Sequence, residues 1–360
     1  MAIPAYDPKE LTIVREEPSF FNMFPPQPVF SYPVSTKEAM KALYKREPYW
    51  QMFALDAKMM SPSVNIDNVA RGFVFEGQPF EPITDRSVAD IFGIEWEYVT
   101  AVGGAMVRPG KPFAEDAEDL LKKITWPAPT KWDWEGSKKA NESFFQEDAY
   151  YNMCVLNGWF ERLISMLDFE NALLAVFDED QEDAVNEFFT KLTDMYITMY
   201  GLMIDTFPQI DGFMIHDDWG GQKNTFFSPD VCERMIVPHM RRATDYLHSR
   251  GKFCELHSCG NIIQQVPNMI AAGWDSWMPQ TMNDTHKIYE LYGDKILIAV
   301  NADIDPEKMS EDELRAAARE YVDKFMQPGK PSLFGYDMAC CTPAFREELY
   351  EYSRKKACGR

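Results

Sequence analysis

The sequence predicts an α/β fold, a TIM (β/α)8 barrel preceded by an N-terminal helical and irregular extension. Two observations carry that reading. From about residue 145 onward, strand-like and helix-like segments alternate at roughly 20- to 45-residue spacing, in six units, which is the rhythm of a parallel sheet. No G-x-G-x-x-G follows any of these strands, so the main signal for an open dinucleotide-binding sheet is missing. The region before 145 has room for two more units. The expected division is an extension over 1–80 packed on a barrel over 81–360, the two forming one structural unit.

Taken in order, residues 1–80 are Pro-rich and mixed, and STKEAMKALYKREPYW reads as a capped amphipathic helix that stops before Pro48. Over 81–140, DIFGIEWEYV, VRPGKPF and TWPAPTKWDW predict short strands and Pro-rich turns rather than long helices. AYYNMCVLNGW is strand-like, and a long helical tract is expected over 160–206. GFMIHDD is a strand, and Ser228-Pro229 starts the helix that follows it. KFCELHSC is a strand followed by a helix over 262–272, and WDSWMPQ is a strand followed by a helix around 285–291. KILIAVNAD is a strand with a helix starting at Ser310, and SLFGYDMAC is a strand with a final helix over 343–356.

Composition narrows the function classes. The chain has 360 residues, a 46 % hydrophobic share and a 26 % charged share, within the range of soluble globular proteins. Its formal net charge of −21 repels phosphate backbones, and the basic runs are short, which argues against a nucleic-acid partner. No apolar run approaches the ~20 residues that span a bilayer, so no membrane association is expected. MAIPAYDPKELTIVREE lacks the basic start and apolar core of a signal peptide, and seven Cys is an odd number. The expected location is the cytoplasm, with cysteines acting as buried thiols or ligands.

In a βα barrel, reactive groups gather where strands end and βα loops begin. MIHDDWGGQ places His216, Asp217, Asp218 and Trp219 there, and ELHSCGN places His257 and Cys259. Gln280, Asn301, Asp303 and the pair Cys340-Cys341 fall at three further strand ends. Along a strand, side chains alternate faces, so Glu255, His257 and Cys259 share one face. His257 and Cys259 then stand ~6.6 Å apart at the backbone, a span that a zinc ion bonded at ~2.0–2.3 Å can bridge. H-x-C alone is a weak signal. Either Cys340 or Cys341, 81 residues beyond Cys259 (340 − 259), offers a third soft ligand, and three ligands with an open fourth position is the arrangement of catalytic zinc. Glu255 is expected to support His257 from behind. His216, Asp217 and Asp218 are the expected catalytic group, able to orient a substrate and handle a proton. Gln280, Asn301 and Trp219 are expected to bind substrate. His239, His248 and His286 fall on predicted helices as surface or packing residues.

H-S-C-G, following IHDDWGGQ and SPDVCERMIVPHMRR and followed by GWDSW, GDKILIAVNADI and a Cys before the last helix, resembles the uroporphyrinogen decarboxylase superfamily. Within it the chain is most similar to the zinc- and corrinoid-dependent methyltransferases. The N-terminal segments, including VRPGKPFAEDAEDLLKKITWPAPTKWDWEG, resemble those of the demethylating members that act on methyl ethers. The resemblance implies zinc held by His257, Cys259 and one of Cys340 and Cys341. It also implies a corrinoid (cobalamin) carried by a partner corrinoid protein, because this chain has no evident cobalamin module. The implied reaction moves a methyl group from a small-molecule donor, a methyl ether such as a methoxylated aromatic, to cobalt(I). The alternative runs from a methylated corrinoid to a zinc-activated thiol such as coenzyme M. Decarboxylation of a tetrapyrrole is disfavoured: the Arg-Gln-Ala-Gly-Arg element of the decarboxylases is absent, and KREPYW stands in the matching region. Some thiol-methylating members carry a Glu near the position of Gln280.

Overall fold

The computed structural model describes residues 3–17, 26–101, 103–335 and 340–359. The chain divides into two units. The first comprises Met1–Lys58, Glu147–Tyr150 and Ser276–Arg360, and the second Met59–Gln146 and Tyr151–Asp275.

The first unit begins with the antiparallel pair β1 (Ile13–Glu17) and β2 (Gln27–Phe30), with a register shift between Ile13 and Arg15. Helix α1 (Thr36–Tyr44) starts as its sequence predicts. The Glu38 N–H donates to Ser35 Oγ at 3.1 Å and the Ser35 N–H donates back to the Glu38 carboxylate at 3.3 Å, so two orphan donors of the first turn are satisfied. Ala39, Met40 and Leu43 form its buried stripe.

Strand β3 (Lys58–Met60) carries the chain from Lys58, the last residue of the Met1–Lys58 segment, into the second unit, which continues with α2 (Ile66–Ala70) and the antiparallel sheet β4 (Val88–Ala89), β5 (Glu95–Val99) and β6 (Gly104–Val107). Two seven-residue helices follow, α3 (Ala117–Lys123) and α4 (Trp134–Ala140), in the stretch expected to hold short strands and turns. Then come β7 (Tyr151–Val155), α5 (Trp159–Phe177), α6 (Glu182–Thr206), β8 (Gly212–His216), α7 (Pro229–Met235), α8 (Val237–Ser249), β9 (Phe253–His257) and α9 (Val266–Ala271). Strands β7, β8 and β9 are parallel neighbours, each followed by a helix.

The tract expected as one helix over 160–206 is two. Asp178 breaks it: its carboxylate accepts the Asp180 N–H at 3.0 Å and the Gln181 amide at 3.2 Å, a local alternative to helical hydrogen bonding. The helix begun at Ser228-Pro229 likewise divides at Ile236, just before Pro238, which has no N–H to continue the ladder. Helix α5 is fixed from below by Arg162, which is fully buried and bonded to both Asp67 and Asp90. The Trp96 indole also donates to Asp90, at 2.9 Å.

The chain returns to the first unit with β10 (Ser276–Trp277), α10 (Thr285–Tyr292), β11 (Leu297–Val300), α11 (Glu311–Phe325), β12 (Leu333–Phe334) and α12 (Pro343–Cys358). Strands β10, β11 and β12 are parallel neighbours. Ser310 and Thr342 cap the last two helices. Of the strand expected over 332–340, residues 336–339 lie outside those described. Parallel βα alternation in both units is compatible with a TIM-like fold, and among the described residues neither unit forms a closed eight-stranded barrel. No helix among the described residues is long and apolar enough to cross a membrane.

Candidate metal centre

The site is built where β8 and β9 end. Their register pairs His216 with His257, and the two imidazoles stack with centroids 4.5 Å apart and planes 20° from parallel. Strand β9 stops at His257, so Cys259 is carried by the loop beyond it, not by the strand face that its spacing suggested. The loop nevertheless turns its thiol back, and Cys259 Sγ lies 3.6 Å from His257 Nε2.

Two glycines make that return possible. Gly260 sits at φ +93°, in the left-handed region, and a Cβ on it would stand 2.3 Å from the backbone carbon of Gly220. With the two βα loops this close, the Cys259 N–H donates to Asp218 Oδ1 at 2.6 Å. Asp218 Oδ1 is also 4.0 Å from His216 Nε2. The ligand atoms of His216, Asp218, His257 and Cys259 all lie within 4.8 Å of one another.

One nitrogen of His216 is already committed. Its Nδ1 meets Glu161 Oε2 at 2.6 Å, which turns Nε2 toward Asp218 and Cys259. A carboxylate behind an imidazole in this way fixes ring orientation and tautomer, as it does for metal-bound histidines. Glu161 is in turn 3.7 Å from Arg71, whose guanidinium also bonds Asn157 and lies 4.8 Å over the Trp96 ring. Burial opposes charge on His216, but the Glu161 and Asp218 carboxylates outweigh it and push its pKa up to about 10. Burial and the neighbouring His216 charge push His257 the other way, down to about 3, which leaves a neutral imidazole with a lone pair for a cation.

Asp217 is put to a different use from its neighbours. Its carboxylate is fully buried and accepts the N–H groups of Phe160 (3.3 Å) and Glu161 (2.8 Å) and the indole N–H of Trp219 (3.0 Å). It therefore holds the first turn of α5, and with it Glu161. A Cβ at Gly158 would stand 2.4 Å from Asp217 Cβ, so only glycine admits this approach. Trp219 is itself fully buried, with its backbone N–H on Ser258 Oγ at 3.1 Å. Glu255 is buried two residues before His257 on β9.

The remaining expected site residues belong to the first unit. Gln280 is half-buried, and its carbonyl accepts the Asn283 N–H at 3.0 Å. Asn301 is buried, its N–H donates to Thr285 Oγ1, and its Oδ1 has no hydrogen-bond partner among the described residues. Cys340 is fully buried with its thiol 3.5 Å from the Ile304 carbonyl, and Cys341 is half-buried. Glu161, Arg71 and Asn157 were not anticipated. Glu161 and Asn157 follow β7 as the other site residues follow their strands, and that position was the signal available. The helical periodicity of the following tract masked it.

With the charged His216 left aside, the donor set suits a borderline cation such as zinc: the Cys259 thiol, the neutral His257 imidazole and the Asp218 carboxylate lie within 4.8 Å of one another, and Cys259 Sγ is 3.6 Å from His257 Nε2, near the roughly 3.5 Å between ligands of a tetrahedral site.

No protein-family model and no curated protein sequence matches the chain. A solved methyltransferase from Methanosarcina mazei is similar in structure, with a TM-score of 0.56 at 16 % identity. The match covers 90 % of this chain and 99 % of that one. At that identity the likeness shows a shared fold. The YdjI aldolase from Escherichia coli K12 also matches, at 12 % identity over 59 % of this chain and 89 % of its own, with a TM-score of only 0.20.

Proposed function

We propose that this protein is a zinc-dependent methyltransferase that moves a methyl group from a methyl ether, such as a methoxylated aromatic, to the cobalt(I) of a corrinoid protein. The observation that carries the reading is the convergence of His216, Asp218, His257 and Cys259 at the ends of two adjacent parallel strands, with Glu161 locking His216 from behind. The structural likeness to a methyltransferase supports it.

His257 and Cys259 would hold the metal, with Asp218 a further donor within 4.8 Å of both. Bound zinc would supply Lewis acidity for the negative charge that develops on the ether oxygen. A methyl ether is a poor electrophile because an alkoxide or phenoxide is a basic leaving group, so the departing oxygen also needs a proton. His216 is placed to give it: Glu161 at Nδ1 favours the charged imidazole, and Nε2 faces the donors that would hold the metal. In the proposed reaction the carbon–oxygen bond would break with its pair left on oxygen, which would take the His216 proton; the partner's cobalt(I), as nucleophile, would supply the electron pair that accepts the methyl group. Asp217 takes no direct part and positions Glu161 through α5.

Purified protein with guaiacol and a reduced corrinoid protein should form methylcobalt, and its absence removes the reading. Demethylation of methylcobalamin by small thiols, without ether turnover, would reverse the direction of transfer. Zinc content of His257→Ala and Cys259→Ala tests the ligands, and the same measurement on Cys340→Ser and Cys341→Ser decides whether either belongs to the set.

A further inference from the structure

A second group of soft donors lies at the other end of β9. His248, near the C-terminal end of α8, Cys254, at the start of β9, and Asp275, ahead of β10, bring an imidazole nitrogen, a thiol sulfur and a carboxylate oxygen within 4.8 Å of one another. All three belong to the second unit. Cys254 and His257 are three residues apart along β9 (257 − 254), so the strand separates the two clusters by roughly 10 Å, and they share no ligand.

The cluster is built rather than incidental. Asp275 is clamped to the strand twice: its N–H donates to the Cys254 carbonyl at 2.8 Å, and its Oδ2 accepts the Cys254 N–H at 2.7 Å. The same oxygen meets His248 Nε2 at 2.8 Å. The Cys254 side chain is fully buried, and no described residue makes a hydrogen bond to its sulfur. Burial, followed by the Asp275 charge, pushes that thiol well above its ordinary value, so it is not a reactive thiolate. His248 is about a third exposed on its side chain, which gives a cation a way in from solvent.

We infer that His248, Cys254 and Asp275 form a separate, structural binding site for zinc or a similar borderline divalent cation. Thiol, imidazole and carboxylate together select such an ion over calcium or magnesium, which prefer oxygen alone. A tetrahedral ion needs its ligands roughly 3.5 Å apart, so His248 Nε2 and Asp275 Oδ2, now 2.8 Å apart, have to open slightly around it, and the Cys254 thiol is already within 4.8 Å of both. Entry of the ion replaces the thiol proton and the proton shared by His248 and Asp275, and both pass to solvent. The bound ion ties the end of α8 to the start of β9 and to the approach to β10. The site does not depend on the function proposed above, because it is read in a chain from which the first centre has been removed.

The test is cobalt(II) titration of the full chain carrying His257→Ala and Cys259→Ser, followed by its thiolate-to-cobalt absorption in the near ultraviolet. A saturable band that disappears on adding Cys254→Ser, and that zinc displaces, is the expected result. His248→Ala changes an exposed side chain and leaves the buried thiol in place, so it guards against a misfolded Cys254 variant; it should weaken cobalt binding at least about tenfold. No saturable band, a band that survives Cys254→Ser, or cobalt affinity unchanged in His248→Ala would each overturn the assignment and leave a hydrogen-bonded polar cluster.

Discussion

His216 and His257 face each other one-to-one across the parallel pair β8 and β9, with rings stacked 4.5 Å apart; burial lowers the proton affinity of both, yet the neighbouring charges drive His216 up and His257 further down. The difference lies in what stands behind each ring. Glu161 backs His216 at 2.6 Å, whereas His257 meets the positive charge of His216. One strand register thus supplies a proton carrier and a neutral ligand side by side.

Glu161→Gln tests that division. The amide keeps a hydrogen bond to His216 Nδ1 but removes the charge that favours the imidazolium. Turnover should fall at least about 10-fold, and at most by the roughly 100- to 10,000-fold that a positioned general acid contributes. A proton donor fails as pH rises through its pKa, so the alkaline limb of the kcat/KM profile should also move to lower pH. An unchanged alkaline limb would remove His216 as the donor.

The Arg162 cluster gives a stability prediction. Its guanidinium is fully buried between Asp67 and Asp90, so Arg162→Met leaves two carboxylates without their cation. Breaking a buried pair from one side costs about 3–5 kcal/mol, and urea unfolding should show a loss of that size. Because Arg162 follows Glu161 on α5, the same variant should also loosen the His216 clamp.

The end of β8 and the end of β9 were legible because parallel strands deliver chemistry at their C-terminal ends, and that rule needs only the strand positions. Strand alternation places His257 and Cys259 on one face, but β9 ends at His257 and Cys259 comes back to within 3.6 Å of it through the turn at Gly260, so the two meet by a different route. Asp217 and Asp218 are adjacent in the chain and serve opposite purposes, one capping α5 and one facing the donors. No local pattern separates them, because the choice is made by the contact of Gly158 with Asp217. Glu161 was missed since its role comes from β8, 55 residues later (216 − 161), and helical periodicity says nothing about such a partner. The breaks at Asp178 and Ile236 were missed because helical patterning outweighed the turn residues that interrupt it.

His239 on α8 should make the fold sensitive to acid. It is buried with Nε2 3.0 Å from Asn186 Oδ1, and burial together with the Arg242 charge lowers its pKa from 6.5 to about 4. The unfolded chain therefore takes up a proton near pH 6.5 and the folded chain only near pH 4. The stability contributed by the neutral ring is complete above the unfolded value and is lost as pH falls from 6.5 to about 4. His239→Gln keeps a donor for Asn186 and cannot titrate, so its urea midpoint should vary less than the wild type's across that window.

Gly260→Ala separates the candidate centre from the fold. At φ +93° an alanine is strained, and its Cβ would meet the Gly220 backbone at 2.3 Å, where no flexible side chain can yield. The β9 loop must then move away from the β8 loop, which stretches the 2.6 Å bond from the Cys259 N–H to Asp218 and swings the thiol from His257. Strands β8 and β9 end before this point and keep their register, so the His216–His257 stack should survive. The expected result is a folded protein, with about 1–3 kcal/mol of strain visible in urea unfolding, that has lost zinc at this centre and turnover together. A variant that keeps both would show that the contact of these two loops does not position the donors.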